Sequence, residues 1–213
     1  MIFKDRQDAG KKLAAKLLKY KNNPDVIILG LPRGGVIVAY EIARELNLPL
    51  DVVVPRKIGT PGNPELAIGA ITEDGQNFFD EKMINDYRIG KDYINDEIEK
   101  EKTEAERRLK IYRGKRQPLN LKSKIAILVD DGIATGATMI ASIRSAKNKG
   151  AKQVIVAVPT TASDSLKKIS QEADRVIYLD APLLFFAVGE FYQDFPQTTD
   201  AEVIELLSKA KQP

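Results

Sequence analysis

The stretch Lys124-Ile-Ala-Ile-Leu-Val-Asp130-Asp131-Gly-Ile-Ala-Thr135-Gly136-Ala137-Thr138-Met139 decides the fold. Its apolar residues 125–129 form a short run, rich in β-branched side chains, that is typical of a buried strand in a parallel sheet. Two adjacent carboxylates end this run, and small residues then open a helical pattern. Because ligands of open α/β sheets bind at the carboxyl ends of the strands, the stretch predicts a binding site.

The two halves of this turn offer different chemistry. Residues 135–138 can present backbone N–H groups, two hydroxyls and the positive end of a helix dipole to a phosphate. Asp130 and Asp131 are hydrogen-bond acceptors that suit vicinal hydroxyls or a hydrated divalent cation. Together they predict a phosphorylated sugar as the ligand. The alternative is an ordinary strand-to-helix turn, although two uncompensated carboxylates at the end of a buried strand would be costly.

The same stretch closely resembles the phosphoribosyl-pyrophosphate (PRPP) motif of type I phosphoribosyltransferases, in which two acids and a few small residues precede a Thr-Gly-x-Thr loop. The resemblance implies a single domain over residues 1–213, with a mostly parallel, doubly wound α/β sheet and a C-terminal hood. It also implies a glycosyltransferase of nucleotide metabolism that moves ribose 5-phosphate from PRPP to an unidentified small-molecule acceptor, for example a nucleobase, and releases pyrophosphate.

The resemblance further implies roles for individual residues. Asp130 and Asp131 would be the catalytic pair, holding the ribose hydroxyls directly or holding Mg²⁺, the implied cofactor, through water. The loop for the 5-phosphate would consist of Thr135, Gly136, Ala137 and Thr138.

Two further segments follow predicted strands at the same edge of the sheet. A Gly-Gly pair after Val26–Leu29 lets the backbone approach a ligand, although simple turn geometry explains it equally well. Two cations follow the strand Asp51–Val54, either as ligands or as solvated rim charges. The resemblance implies that both segments bind pyrophosphate, with a strained peptide at Pro32-Arg33 or Arg33-Gly34. The implied pyrophosphate residues are Arg33, Gly34, Gly35, Arg56 and Lys57.

Residues 80–116 predict one long, exposed helix inserted into the compact fold. Its narrow apolar stripe consists of Ile94, Ile98, Ala105, Leu109 and Tyr112. A thin seam of this kind is expected to contact either the body of the protein or the partner in a homodimer. Its basic end is interpreted as cations that complement the helix dipole, with a site for nucleic acid or pyrophosphate as the alternative. Because no aromatic stacking pattern accompanies the charge, a nucleic-acid partner is not expected. Since the Gly/Pro-rich loop at 58–64 is short for a closing lid, the insertion is an alternative lid.

The C-terminal part, about residues 180–213, is expected to form the hood together with the N-terminal helix. Its segment 181–195 is aromatic and poorly periodic. Because the hood in this family often stacks the acceptor on an aromatic ring, the resemblance implies acceptor-binding residues here. Packing within the hood is the alternative. The implied acceptor residues are Phe185, Phe186, Phe191 and Tyr192.

The composition of the chain limits the class of protein and the kinds of site that can be expected. A chain of 213 residues, 43% hydrophobic and 30% charged, suits one α/β domain. No apolar run approaches the length of a membrane span, and the N-terminus lacks a signal-peptide core. With no cysteine, these features predict a cytoplasmic protein without disulfides. The absence of histidine excludes Ser-His-Asp triads and favours a hard cation bound by oxygen as any metal.

The same residues bear on two other classes of function. A non-catalytic regulatory protein of the same fold could sense PRPP or a nucleotide without chemistry. A dinucleotide-dependent oxidoreductase fits poorly, because no Gly-x-Gly-x-x-Gly follows the first predicted strand.

Overall fold

The computed structural model covers residues 1–213, and all of them are described except the side chain of Glu65. The strands are β1 (Val26–Gly30), β2 (Leu50–Val52), β3 (Arg56–Thr60), β4 (Asn63–Ile71), β5 (Asn77–Phe79), β6 (Ile125–Val129), β7 (Gln153–Thr160) and β8 (Arg175–Asp180). The helices are α1 (Arg6–Lys16), α2 (Gly34–Leu46), α3 (Glu81–Asp86), α4 (Lys91–Arg113), α5 (Ala137–Asn148), α6 (Ser163–Glu172) and α7 (Asp200–Lys209). Short 3-10 turns lie at Leu18–Tyr20 and Val188–Phe191.

Five parallel strands form the central sheet in the order β2-β1-β6-β7-β8. Alternate side chains of its strands enter two separate cores, one on each face. Ile28 and Ile127 pack on the side of α1 and α2, whereas Leu29 and Leu128 pack on the side of α5 and α6. The chain therefore wraps both faces, and the predicted doubly wound α/β fold is confirmed.

Residues 58–64, predicted as an irregular loop, instead belong to a small antiparallel sheet of β3, β4 and β5. Thr60 pairs with Asn63 across a tight turn at Pro61-Gly62, where Gly62 has a φ of +78°. Proline followed by a glycine of positive φ is the signature of a type II turn. The prediction was wrong because these residues turn a hairpin rather than mark a break between elements.

The predicted helix over 80–116 is divided into α3 and α4 by a turn in which Arg88 adopts a φ of +51°. The apolar stripe of α4 has two different partners. Ile94 and Ile98 pack on the core of the antiparallel sheet, whereas Ala105 and Tyr112 join the core of the central sheet. Helix α4 therefore bridges the two sheets. Among the described residues, no helix has both the length and the apolar character needed to cross a membrane.

The predicted hood is formed jointly by the N-terminus and the segment before α7. Phe3 donates its backbone N–H to Phe191 O at 2.8 Å, and Gln193 N donates to Phe3 O at 2.8 Å. The rings of Phe3 and Tyr192 pack with their centroids 5.4 Å apart. Helix α1 is thereby held against the carboxyl end of the sheet.

A buried ion pair fixes the end of α4 to the central sheet. Arg113 Nε lies 3.0 Å from Asp51 Oδ1, and the Asp51 side chain is 1% exposed. Arg113 also donates to Val52 O at 3.0 Å. The pair ties the inserted helix to the edge strand β2.

We expect Asp51→Ala to lower the free energy of unfolding by about 3 kcal/mol, because it leaves the buried Arg113 guanidinium without its anion. Urea denaturation checks this value. The double variant Asp51→Ala/Arg113→Met is the control and should recover part of the loss, since it removes both charges. A double variant less stable than Asp51→Ala would contradict this account of the pair.

Candidate functional site

The acid pair lies at the carboxyl end of β6, directly against the loop that follows β1. A Cβ atom on Gly34 would lie 2.0 Å from Asp131 Oδ2, and one on Gly35 would lie 2.8 Å from Asp130 Oδ1. Only glycine therefore lets the first loop pack so closely on the carboxylates. The Pro32-Arg33 peptide in this loop is cis, at one of the two positions where a strained peptide was predicted.

Asp131 is held by a residue that the sequence interpretation missed. Arg6 Nε donates to Asp131 Oδ2 at 2.7 Å, and the Tyr192 hydroxyl donates to Asp131 O at 2.5 Å. Burial, and next the charge of Asp131, raise the pKa of Tyr192, so its hydroxyl keeps the proton that it donates. The sequence carried a signal for Arg6, because it shares a helix face with the buried Ala9 and Leu13 at i+3 and i+7.

Asp130 has no such direct cationic partner among the described residues. Its Oδ1 accepts a hydrogen bond from Asp131 N at 2.9 Å. Burial, and next the negative charge of Asp131, raise the pKa of Asp130 well above its ordinary value, and Lys57 opposes this shift weakly. The two neighbouring acids therefore have different environments, because Arg6 pairs with Asp131 whereas no cation pairs directly with Asp130 among the described residues.

The residues predicted to bind a phosphate form the turn into α5. Gly136 has a φ of +85° and is the N-cap of α5, with Ala137 as the first helical residue. The N–H groups of the first turn have no acceptor within a helix and face the turn. Ser165 Oγ braces the turn by donating to Ala134 O at 2.5 Å. The turn can therefore bind an anion through main chain and helix dipole.

A cavity of about 630 Å³ opens between Asp130 and the antiparallel sheet, and Asp131 is not part of its lining. Helix α4 forms its far wall, so the insertion closes the site from the side. Tyr93 of α4 donates its hydroxyl to Gly59 O at 3.0 Å. The lining residues are Leu31, Pro32, Pro55, Arg56, Lys57, Gly59, Thr60, Gly62, Pro64, Tyr93, Glu97, Lys100, Glu101, Asp130 and Thr138.

The three cations predicted to bind pyrophosphate differ in their surroundings. Arg56 Nε is paired with Glu101 of α4 at 2.7 Å, whereas Lys57 is exposed at the cavity. The exposed Arg33 lies outside the lining, with its Nη1 4.0 Å from Asp200 Oδ1. The structure therefore brings Lys57 and Arg56 to the cavity with Asp130, and leaves the Arg33 side chain beside α7.

The four aromatic residues predicted to bind the acceptor do not line the cavity. Phe191 and Tyr192 are buried in the hood, and Phe185 stacks on Phe191 with ring centroids 4.9 Å apart. Phe186 is 79% exposed at the surface. The alternative of packing within the hood describes Phe185, Phe191 and Tyr192, because their rings pack on one another and on Phe3.

Asp130, Thr138 of the first turn of α5 and the exposed Lys57 line one cavity on a doubly wound sheet, which is the type of site expected of a phosphoribosyltransferase. The chain belongs to the phosphoribosyl transferase domain family, whose model matches residues 2–194. The resemblance carried by residues 124–139 is thereby confirmed.

Similar proteins agree with this assignment. Two Mycobacterium tuberculosis proteins, from strains CDC 1551 / Oshkosh and ATCC 25618 / H37Rv, are provisionally named phosphoribosyl transferases. Each is 43% identical over 209 residues, which are 98% of this chain and 47% of the relative. The chain thus spans about half the length of these curated relatives. The crystal structure of TT1426 from Thermus thermophilus is 38% identical, covers 97% of this chain and 98% of its own, and superposes with a TM-score of 0.80.

We expect Gly34→Ala to lower the free energy of unfolding by about 2 kcal/mol, because the added methyl group overlaps Asp131 Oδ2 and Arg6 Nε. Urea denaturation measures the change. Gly90→Ala is the matched control, since a Cβ atom there meets nothing within 4 Å. Equal stability of the Gly34 and Gly90 variants would refute the close packing.

We expect Asp130→Asn to stabilise the ligand-free protein by about 1 kcal/mol near neutral pH. Because the pKa of Asp130 is higher in the folded than in the unfolded chain, its ionisation costs stability as the pH rises above the ordinary carboxyl value. The gain should therefore shrink toward acidic pH, where Asp130 keeps its proton. Urea denaturation at about pH 4.5 and about pH 7.5 checks the sign, because the first pH is close to the ordinary carboxyl pKa and the second is well above it. A gain in stability that does not change with pH would contradict this explanation. Asp86→Asn, at an exposed acid, is the control.

Proposed function

We propose that this chain is a PRPP-dependent phosphoribosyltransferase that transfers ribose 5-phosphate to a small-molecule acceptor and releases pyrophosphate. The juxtaposition of Asp130, the N-terminal turn of α5 and Lys57 around one cavity carries the proposal. The three features match the three parts of PRPP, since acceptor oxygens suit the ribose hydroxyls, N–H groups suit the 5-phosphate and a cation suits the pyrophosphate.

The substrate would lie across the carboxyl edge of β1 and β6. Asp130 and Asp131 would accept hydrogen bonds from the ribose hydroxyls, and residues 135–138 would bind the 5-phosphate. The backbone at Gly34 and Gly35 would approach the pyrophosphate, with the exposed Lys57 of the cavity lining as a cation for it. Arg56 would contribute less charge, because Glu101 already neutralises it. Arg33 would have to turn from Asp200 to reach the same group.

In the transfer, the bond between the anomeric carbon and the pyrophosphate oxygen breaks, and pyrophosphate leaves with the electron pair. The acceptor nucleophile forms a new bond to that carbon and loses its proton. Positive charge grows on the ribose ring, where the carboxylates stabilise it, and negative charge grows on the leaving group. Lys57 stabilises the second charge, and the wall made by α4 limits access of water.

Mg²⁺ is the proposed cofactor, and the acid pair fits a hard cation. Burial beside Asp131 already raises the pKa of Asp130, so a divalent cation would relieve a repulsion present in the ligand-free site. No group of three acidic side chains suited to a metal occurs among the described residues. The cation would therefore take its other ligands from PRPP and water, and would neutralise the pyrophosphate.

A non-catalytic sensor of PRPP or a nucleotide is the alternative function. The packing of Phe185, Phe191 and Tyr192 within the hood favours it, because none of these three rings lines the cavity where an acceptor base would stack. Both functions require PRPP or nucleotide binding. They differ in pyrophosphate release, which only the transferase produces.

We expect PRPP to bind in calorimetric titration only when Mg²⁺ is present. In the variant Asp130→Asn/Asp131→Asn the affinity should fall about hundredfold or more, since charged hydrogen bonds to the ribose are lost. The matched control is Asp86→Asn/Asp164→Asn, which removes two exposed acids away from the cavity.

Loss in the site variant with unchanged binding in the control would support the proposal. Equal PRPP affinity in both variants would refute the site. Screening of acceptors by pyrophosphate release then separates the enzyme from the sensor, because a sensor binds PRPP without releasing pyrophosphate.

A further inference from the structure

The ion pair between Arg6 and Asp131 joins the N-terminal helix to the centre of the site. Arg6 Nε lies 2.7 Å from Asp131 Oδ2, and the two side chains are only 8% and 15% exposed. The contact spans 125 residues of sequence. It brings a fully charged group of α1 into the edge of the sheet where ligands bind.

The hood holds Arg6 in this position. Its guanidinium carbon lies 3.7 Å from the centroid of the Phe195 ring, and its Nη1 donates to Pro196 O at 2.8 Å. The cation is thus stacked on one side and hydrogen-bonded at another nitrogen. Its orientation toward Asp131 is therefore determined by contacts that do not depend on a ligand.

The pair leaves one oxygen of Asp131 available. Oδ2 accepts from Arg6, and no donor among the described residues reaches Oδ1. Gly34 packs against the same contact, because a Cβ atom there would lie 2.0 Å from Oδ2 and 2.7 Å from Arg6 Nε. The Asp131 carboxylate is thus restricted in rotation, and its Oδ1 is not engaged by a cation in the part of the chain that the structure describes.

Stability alone is a weak reason for such a pair, because a buried ion pair is seldom more favourable than apolar packing of similar volume. Preorganisation of a binding group is a stronger one, since it lowers the cost of ordering that group when a ligand binds.

We propose that Arg6 is a positioning residue that presents Asp131 Oδ1 to a ribose hydroxyl of PRPP. The inference rests on the proposed function, and it makes the hood a part of the ribose site. Arg6 acts through Asp131, not by contact with the pyrophosphate.

Calorimetric titration with PRPP and Mg²⁺ tests the inference in a double-mutant cycle of Arg6→Gln, Asp131→Asn and the combined variant. Arg6→Gln is expected to weaken PRPP binding about tenfold, and to change it less than about twofold in the Asp131→Asn background. Arg6→Lys, which keeps the charge, should restore part of the affinity. Titration with pyrophosphate, which has no ribose hydroxyl for Asp131 to bind, should give the same affinity for Arg6→Gln and the wild type.

Asp5→Ala is the matched control for a merely structural role. The Asp5 side chain caps α1 by accepting from Asp8 N at 2.7 Å, so its removal loosens the same helix without touching Asp131. This variant should melt at a lower temperature and bind PRPP as the wild type does.

Three results would overturn the inference while leaving the proposed function intact. The first is an unchanged PRPP affinity in Arg6→Gln. The second is a loss of PRPP affinity on Arg6→Gln that is as large in the Asp131→Asn background as in the wild type. The third is a loss of pyrophosphate affinity in Arg6→Gln that is as large as its loss of PRPP affinity. A loss in Asp5→Ala as large as that in Arg6→Gln would also overturn it. A wild-type protein that binds no PRPP would instead refute the proposed function, and the inference with it.

Discussion

Two carboxylates placed side by side at the end of a buried strand impose the main constraint on this molecule. Neither Asp130 nor Asp131 can be taken out of water without compensation. The fold supplies Arg6 to Asp131 through an N-terminal helix that the hood holds in place. It supplies only the distant charge of Lys57 to Asp130. The glycines of the first loop bring the backbone against both acids. The hood, the first loop and the cavity are arranged around this unequal compensation of the two carboxylate charges.

Helix α4 is the second determinant of the site, and its role follows from its two packing partners. Because its N-terminal half packs on the antiparallel sheet and its C-terminal half on the central sheet, it fixes the angle at which the hairpin of β3 and β4 approaches the acids. The ion pair of Arg56 with Glu101 and the hydrogen bond of Tyr93 to Gly59 O reinforce that approach. An insertion with an exposed, charged surface thereby becomes a structural wall of the cavity.

The fold and half of the candidate site could be predicted from residues 124–139, because a buried strand that ends in acids and a helix-opening turn is a local pattern. Arg6 was missed because its partner lies 125 residues away, and only the position of a cation on a buried helix face hinted at it. The hairpin at 58–64 was missed because glycine and proline serve both turns and loops. The roles of the hood aromatics could not be decided, since an aromatic ring suits a pocket and a core equally well.

The difference between the two acids argues for a division of roles. Asp131 has a fixed orientation and a compensated charge, which suits a group that recognises a hydroxyl by geometry. Asp130 lines the cavity without an ion-pair partner among the described residues, and burial, with the charge of Asp131, raises its pKa. Natural proteins keep a locally unfavourable group, such as a buried carboxyl without a cationic partner, chiefly at functional sites. A chain selected for stability alone would replace this carboxyl, so its presence beside a glycine loop and a helix N-terminus supports the proposal of a cationic or hydroxylated ligand.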